Sequence, residues 1–362
     1  MTTITADLLA RHDRPGPRYT SYPTAAEFHE DVDHIAYGEL LERASHRRDE
    51  PLGLYVHVPF CQQRCHYCGC NTVITKQRGV ARNYLAALED EVRMVAERLG
   101  DRRGLRQMHW GGGTPTYLWP EQIRAFGEFL HETFDFEPDA ELAVEVDPRV
   151  TSSRHLRALR DVGFQRISLG VQDFTPAVQI AIGRVQSYER TVEVVSKARD
   201  LGFESVNLDL IYGLPHQTLE TFEHTLDLAL TIEPERVAVY GYAHMPWLKP
   251  HQRYIDDSTL PGGQERLALL AATGEAFRGA GYVGIGMDHF ALPTDDLGRA
   301  RSQGRLWRNF MGYTVRHAPD TVAVGTSAIG DIEGAYVQNH TKLHRYHDAL
   351  ATHRLPTAKG FL

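Results

Sequence analysis

Short apolar runs alternate with longer amphipathic segments over the first two thirds of the chain. Six runs of β-branched and apolar residues predict strands at 52–57, 105–110, 141–146, 166–170, 205–210 and 236–240. Apolar residues recur at helical spacing between them, at 84–99, 120–134, 154–162, 188–201 and 219–232. Repeated strand–helix units predict an α/β fold with a parallel sheet. Right-handed crossovers favour an open, TIM-like partial (β/α)6 barrel. Periodicity alone does not distinguish this barrel from a flat Rossmann-like sheet.

The pattern changes on both sides of this core. Residues 1–50 are polar, and the prolines within 14–24 disfavour a regular helix there. After residue 245 the pattern is looser, with a helix predicted at 264–279, strands near 282–285 and 322–325, and a helix near 343–352. We therefore expect an N-terminal arm (1–50), a barrel core (51–245) and a C-terminal extension of the same catalytic domain (246–362).

Composition excludes several classes of protein. The 362 residues are 42% hydrophobic and 24% charged, which is typical of a globular protein. The net charge of −8 argues against a general nucleic-acid binder. No apolar run reaches the roughly 18–20 residues that span a bilayer, and the N-terminus lacks a secretory signal pattern. We expect a cytoplasmic protein without a membrane span.

All four cysteines lie between positions 61 and 70, a clustering that favours metal ligation over a disulfide framework. Cys61, Cys65 and Cys68 have the spacing C-x₃-C-x₂-C and directly follow the first predicted strand, at the barrel end where active sites lie. Three thiolates in so short a loop can hold three corners of an iron–sulfur cube and leave one iron open. Structural zinc usually takes paired C-x₂-C hairpins with four ligands, and a second pair is absent here. Zinc or an inert cluster remains the alternative.

Several motifs resemble known families. The cysteine spacing, with Tyr67 before the last cysteine, resembles the radical S-adenosylmethionine (SAM) signature. Gly111-Gly112-Gly113-Thr114-Pro115 follows the second strand and resembles the glycine motif that binds the SAM amino group. In order along the chain, longer stretches resemble the oxygen-independent coproporphyrinogen III oxidase family: 18–24, 55–60, 68–71, 109–116, 145–149, 170–174, 207–215, 286–290 and 308–314. Haem chaperones of the same superfamily usually lack the 18–24 motif and the Cys68-Gly69-Cys70 sequence, so both features favour the oxidase.

The resemblance implies a [4Fe–4S] cluster on Cys61, Cys65 and Cys68, together with two SAM molecules. Residues that match contacts of the cluster-bound SAM are Tyr55, Tyr67, Gly112, Glu145 and Ile329. Residues that match contacts of the second SAM are Gly113, Thr114, Gln172, Arg184, Asp209 and Ala243. Without the resemblance, Glu145 and Asp209 also suit solvated or helix-capping carboxylates. Arg184 likewise suits a surface ion pair, and Gln172 a helix cap.

The implied reaction is oxidative decarboxylation of two propionates of coproporphyrinogen III to vinyl groups, giving protoporphyrinogen IX. The alternative is a haem-binding delivery protein on the same scaffold. We expect a reduced flavodoxin- or ferredoxin-type electron donor, no nucleic-acid partner and a monomeric chain. The four propionates of the substrate should attract cations at the barrel mouth, and the candidates are Arg18, Arg149, Arg301, Arg305 and Arg308.

Two further expectations come from the same resemblance. Cys70 matches a fourth cysteine of the family that is not a cluster ligand, and we expect it to be a buried, small apolar residue. Family members continue into a C-terminal helical domain, whereas this sequence ends at Leu362. We therefore expect that domain to be absent.

Overall fold

The computed structural model describes Arg11 and residues 21–362. Its strands, in chain order, are β1 Leu52–Val58, β2 Phe60–Cys61, β3 Val73–Ile74, β4 Gly104–Gly112, β5 Asp135–Val146, β6 Arg166–Gln172, β7 Ser205–Tyr212, β8 Arg236–Gly241, β9 Val283–Gly286, β10 His289–Ala291, β11 Trp307–Asn309, β12 Gly312–Thr314, β13 Asp320–Val324, β14 Ile329–Ile332, β15 Ala335–Asn339 and β16 Thr357–Phe361. Its helices are α1 His34–Ala44, α2 Arg78–Leu99, α3 Pro120–Thr133, α4 Ser153–Val162, α5 Pro176–Ala181, α6 Tyr188–Asp200, α7 Leu219–Thr231, α8 Gly263–Gly279, α9 Asp296–Ser302 and α10 Leu343–Ala351.

The six predicted strands are neighbours in one parallel sheet. They lie in the order β1-β4-β5-β6-β7-β8, and each pair runs parallel. Helices α2 to α7 fill the connections between them. Over the described residues the order of strands runs from β16 to β9 without closing. The prediction of an open α/β sheet of parallel strand–helix units is therefore confirmed.

The C-terminal third of the chain extends this sheet at both edges. Strand β13 is a seventh parallel strand on the free side of β1, with Leu54 opposite Val322. Strands β14 to β16 then continue antiparallel, while β10 and β9 extend the other edge beside β8. The sequence pattern predicted only two of these additional strands.

The helices pack on the sheet through single apolar faces. Along α2, residues Tyr84, Leu88, Val92, Val95 and Leu99 are fully buried at three- and four-residue spacing, as the amphipathic pattern predicts. Strand β1 is buried on both faces. Strand β7 instead alternates buried apolar residues with partly buried polar residues, and the polar ones, Asn207 and Asp209, line a cavity inside the sheet. Polar side chains line the inner face of the sheet along β4 to β8, and those near the carboxyl ends of the strands belong to the site described below.

The described part of the N-terminal arm contains a helix that the sequence pattern did not predict. Helix α1 begins after Asp33, whose carboxylate accepts hydrogen bonds from the backbone N–H groups of Ile35 and Ala36 at 2.9 and 3.0 Å. Arg18 and most of the 14–24 motif lie outside the described residues. Within residues 21–362, no helix combines the length and apolar character that a membrane crossing requires.

Candidate functional site

The loop that carries the four cysteines, residues 61–70, lies beyond the carboxyl end of β1 and is held from two sides. His66 donates from its backbone N–H to the carbonyl of Ile182 at 2.8 Å and from ring Nδ1 to the carbonyl of Ala181 at 3.0 Å. On the other side, the Gln252 amide donates to the carbonyl of Tyr67 at 3.0 Å. Since these three segments are far apart in sequence, the tertiary fold and not the loop alone sets the position of the thiols.

Cys61, Cys65 and Cys68 line one cleft with about 1050 Å³ of space, including its open mouth. The Cys61 thiol is 3.4 Å from the Thr114 hydroxyl, and burial raises the pKa of Cys61 to about 11. A hydrogen bond from the Cys70 thiol lowers the pKa of Cys68 to about 6. The expectation of a buried Cys70 is wrong, since Cys70 is an exposed residue on the rim of the same cleft. Among the described residues, no three His, Cys, Asp or Glu side chains are close enough together to hold a single metal ion.

Two guanidinium groups flank the Cys65 sulfur. Arg149 and Arg184 each donate to this sulfur, at 3.6 and 3.7 Å. The carboxylate of Asp147 holds both, at 2.7 Å from Arg149 and 3.0 Å from Arg184. Burial opposes ionisation of Asp147, but the charges of the two arginines outweigh it and lower the pKa of Asp147 to about 2. A fixed ion triad therefore surrounds the most buried of the three thiols.

The glycine run 111–113 at the carboxyl end of β4 leaves no room for side chains. A Cβ on Gly112, whose φ is +111°, would lie 2.5 Å from the ring of His57. A Cβ on Gly113 would lie 2.6 Å from the backbone of Pro59. The Gly112 N–H donates to the Glu145 carboxylate at 3.2 Å. Glycine at these positions lets the β4 backbone approach both the cysteine loop and a carboxylate.

Glu145 and Asp209 occupy the carboxyl ends of β5 and β7 and have different environments. His109 donates to Glu145 at 3.2 Å; burial opposes ionisation, but this imidazole outweighs it and lowers the pKa of Glu145. Asp209 accepts hydrogen bonds from the Ser168 hydroxyl at 2.8 Å and the Asn207 amide at 2.9 Å. Burial nonetheless raises the pKa of Asp209 to about 7. At neutral pH Glu145 is ionised, whereas Asp209 titrates.

Most of the predicted site residues lie together. The cleft is lined by Cys61, Cys65, Tyr67, Cys68, Gly112, Gly113, Thr114, Glu145, Gln172, Arg184 and Asp209. Gln172 is not a helix cap, because it ends strand β6 with a φ of +71°. Arg184 is not part of a surface ion pair, because it is buried. A second cavity of about 790 Å³ lies deeper in the sheet interior and shares the walls Glu145, Ser168, Asp209 and Tyr240 with the cleft.

Three predicted residues do not line the cleft. Tyr55 lies below it, where its hydroxyl contacts His57 Nδ1 at 3.1 Å and its ring stacks on His109. Ala243 is exposed and its carbonyl accepts from Gln252, and Ile329 begins the antiparallel strand β14.

The described arginines that were predicted to bind the substrate propionates also differ in whether they line the cleft. Arg149 lines the cleft. Arg305 lines a separate surface cavity, and Arg301 lies on helix α9. Arg308, on β11, has its guanidinium 5.4 Å from the Tyr313 ring centroid.

The sequence pattern did not single out three residues of the cleft and its surroundings: Asp147, His109 and Tyr240. Asp147 and His109 lie within motifs that carry the resemblance, two residues from Glu145 and Gly111 respectively. Tyr240 is the last residue of a predicted strand, and residues at that position face the carboxyl edge of a parallel sheet. The feature of the sequence that could have identified these residues is their position near the ends of predicted strands.

The cleft residues fit an anionic iron–sulfur cluster with a charged organic ligand. Three thiols share one wall, two guanidinium groups neutralise charge at Cys65, and the buried Nε of Arg184 has no hydrogen-bond partner. The backbone of Gly112 and Gly113 lines the same cleft beside the thiols. An open parallel α/β sheet with this cysteine loop at its carboxyl edge defines a radical SAM protein.

Comparison with known proteins identifies the family. The Radical SAM superfamily model matches residues 55–229. Oxygen-independent coproporphyrinogen III oxidase of Salmonella typhimurium is 47% identical over 340 residues, covering 94% of this chain and 74% of that enzyme. The Pseudomonas aeruginosa enzyme of the same name is 44% identical over 357 residues, covering 98% and 77%. The solved structure of the Escherichia coli radical SAM enzyme coproporphyrinogen III oxidase (HemN) superimposes with a TM-score of 0.90 at 43% identity, covering 95% of this chain and 78% of that one. The chain belongs to the oxygen-independent coproporphyrinogen III oxidases.

Proposed function

We propose that this chain converts two propionate side chains of coproporphyrinogen III to vinyl groups, giving protoporphyrinogen IX. The relatives named above act on coproporphyrinogen III and are 44–47% identical over almost the whole chain. The observation that carries the proposal is the cleft itself, which joins the three thiols to Glu145 and Asp209. A haem-delivery function on the same scaffold is not favoured by these relatives.

Cys61, Cys65 and Cys68 are the residues that would hold the [4Fe–4S] cluster. When bound, the reduced cluster and SAM supply an organic radical that removes a hydrogen atom from the substrate. Arg149 and Arg184 donate to the Cys65 sulfur, and hydrogen bonds to cluster sulfurs favour the more negative, reduced state. Asp147 keeps both guanidinium groups in place.

Two SAM molecules suit the two carboxylates. Glu145 is already ionised and lies against the Gly112 N–H, so it can accept hydrogen bonds from the amino group or ribose of a SAM beside the cluster. Asp209 lies on a different strand, and with Gln172 and Arg184 it would bind the second molecule. The guanidinium of Arg184 is suited to a carboxylate. The deeper cavity adjoins both carboxylates.

Of the four candidate arginines among the described residues, Arg149 lines the cleft, and we assign it to a substrate propionate. The electron reaches the cluster from a reduced flavodoxin- or ferredoxin-type protein.

Substitution of the cysteines tests the ligand assignment. Anaerobic reconstitution of the unaltered chain should give about four irons per chain, the content of one [4Fe–4S] cluster. Alanine at Cys61, Cys65 or Cys68 should each abolish the cluster absorbance. Cys70→Ala is the matched control, two positions from Cys68 and five from Cys65, and should keep it. Zinc in place of iron, or cluster loss with Cys70→Ala alone, would overturn the proposal.

A further inference from the structure

We propose that a small acidic electron-carrier protein docks on a basic, apolar surface beside the cysteine loop. This docking surface is formed by residues 245–254, with residues 180–185 and the exposed side of loop 61–70 next to them. The inference rests on the proposed function, because it requires a redox cluster in that loop. It adds the position at which the electron enters and the chemistry of the protein that delivers it.

Residues 245–254 are in direct contact with the cysteine loop. His251 donates from Nε2 to the carbonyl of Cys68 at 2.7 Å, and Lys249 Nζ is 3.5 Å from the carbonyl of Cys70. The Gln252 amide donates to the carbonyl of Tyr67 at 3.0 Å. A protein bound to this segment is therefore separated from a proposed cluster ligand by one side chain. Electron tunnelling falls steeply with distance, so a carrier must dock at such a place.

This segment exposes large apolar side chains. Trp247 is 65% exposed, Leu248 is 64% exposed and Tyr254 is 76% exposed. Ile180 and Val185, 68% and 67% exposed, flank the loop that His66 joins to the cysteines. The rings of His66 and Tyr254 are 5.3 Å apart, so the two halves of the surface meet. Grouped exposed apolar side chains of this size are typical of protein interaction sites.

The charge of the surface is opposite to that of the whole chain. The chain has a net charge of −8, yet residues 61–70, 176–186 and 243–255 contain no Asp or Glu. Their cations near the surface are Arg64, Lys249 and Arg253, with His66 and His251 between them. Two acids, Asp256 and Asp257, lie just beyond these segments; the Asp256 carboxylate accepts from the Ser258 hydroxyl, and Asp257 is 2.8 Å from His244. The three cations Arg64, Lys249 and Arg253 outnumber these two carboxylates.

Charge complementarity therefore selects an acidic partner. Opposite charges steer association and raise its rate by about 10- to 1000-fold, and this effect weakens as salt screens them. Charges at the rim of an interface act chiefly on this association rate. A one-electron carrier with acidic side chains around its redox group fits both the charge and the position of the surface.

The test is a double charge reversal, Lys249→Glu with Arg253→Glu. The matched control is Arg157→Glu with Lys197→Glu, which changes the net charge equally on helices α4 and α6 of the outer layer. SAM cleavage is measured against the concentration of reduced flavodoxin, separately against reduced ferredoxin, and with dithionite. We expect kcat/KM for at least one carrier to fall about tenfold or more in the Lys249/Arg253 variant alone, with the fall diminishing at high salt. Dithionite-driven cleavage is measured on each variant, and the carrier-driven kcat/KM is divided by it, so that a disturbance of the cysteine loop through the Lys249 contact lowers both rates and cancels. Trp247→Ala should weaken carrier-driven cleavage in the same selective way.

The outcomes separate the two hypotheses. Absence of SAM cleavage by the unaltered chain with dithionite would contradict the proposed function itself. Normal dithionite-driven cleavage, with equal carrier kinetics in the Lys249/Arg253 variant and its control, would overturn the docking surface alone. A dimer of the unaltered chain that dissociates in the Lys249/Arg253 variant would assign the surface to a second copy and also overturn the proposal.

Discussion

Replacement of Asp147 by Asn tests the ion triad around Cys65 most sharply. The Asp147 side chain is 11% exposed and that of Arg184 is 7% exposed, so water cannot replace the lost carboxylate without local opening. Asn keeps the shape of the side chain but leaves the positive charges of Arg149 and Arg184 beside each other. The variant therefore removes one charge from a buried network and creates a repulsion in the same step.

The pKa of Asp147 sets the size of the effect. Its fall from 3.8 to about 2 corresponds to about 2–3 kcal/mol of stabilisation by the ionised form. Repulsion between the two arginines adds to this, and we expect a loss of about 3 kcal/mol in the free energy of unfolding. For 362 residues, an unfolding entropy of about 2 cal/mol/K per residue converts this loss to about 4 °C in Tm. A carboxyl group whose pKa is lowered on folding stabilises the folded state at pH values above its unfolded-state pKa of about 4. This stabilisation is lost as the pH falls towards 2. The difference in Tm between Asp147→Asn and the unaltered chain should therefore be the same at pH 7 and pH 5.

The assay is anaerobic thermal unfolding of the chain without cluster, at both pH values. Asp161→Asn is the matched control, because Asp161 pairs with Arg124 at 2.7 Å on the surface and should contribute about 0–1 kcal/mol. If Asp147→Asn unfolds at the same temperature as Asp161→Asn, the carboxylate does not hold the two guanidinium groups as the structure indicates.

Two further substitutions test the edge of the cleft. Binding of the second SAM should strengthen between pH 6 and 8, because Asp209, with its pKa raised to about 7, ionises as the pH rises through that range, whereas Glu145 is already ionised. Asp209→Asn should abolish this strengthening, as measured by titration calorimetry of both forms. A pH dependence that persists in the Asn variant would show that the assignment of Asp209 is wrong. Gly113→Ala should lower 5′-deoxyadenosine formation about 100-fold, because its Cβ would lie 2.6 Å from the Pro59 backbone and displace the site. Gly104→Ala, at the start of strand β4 and with open space around its Cβ, should remain near the unaltered rate. Equal rates in both variants would show that the close approach at Gly113 is unimportant.

The sequence predicted the barrel core well because its signal is local. Apolar spacing placed helix α3 at 120–134, and the structure has Pro120–Thr133. Strand ends were predicted less well: β4 continues to Gly112 and β6 to Gln172, residues that are poor strand formers but that the neighbouring parallel strands hold in register. Strand pairing between distant segments therefore overrides local propensity at the edge that carries the site.

The candidate site was predictable in its residues but not in its contacts. Spacing was enough to single out the three thiols, because all lie in one short loop. That Asp147 joins two arginines at Cys65 depends on where β5 ends and where the loop after β6 returns, which no local pattern specifies. The antiparallel strands β14 to β16 were missed for the same reason, since they are short and pair at the end of a sheet begun by β1.

The central claim is the decarboxylation of coproporphyrinogen III by this chain. The most direct measurement is release of labelled CO₂ from coproporphyrinogen III carrying labelled propionate carboxyl groups, under anaerobic conditions with reconstituted protein, SAM and dithionite. We expect two CO₂ for each protoporphyrinogen IX formed, with none released when SAM is omitted or when Cys65 is replaced by Ala. Cleavage of SAM without CO₂ release, by protein with its full iron content, would contradict the account.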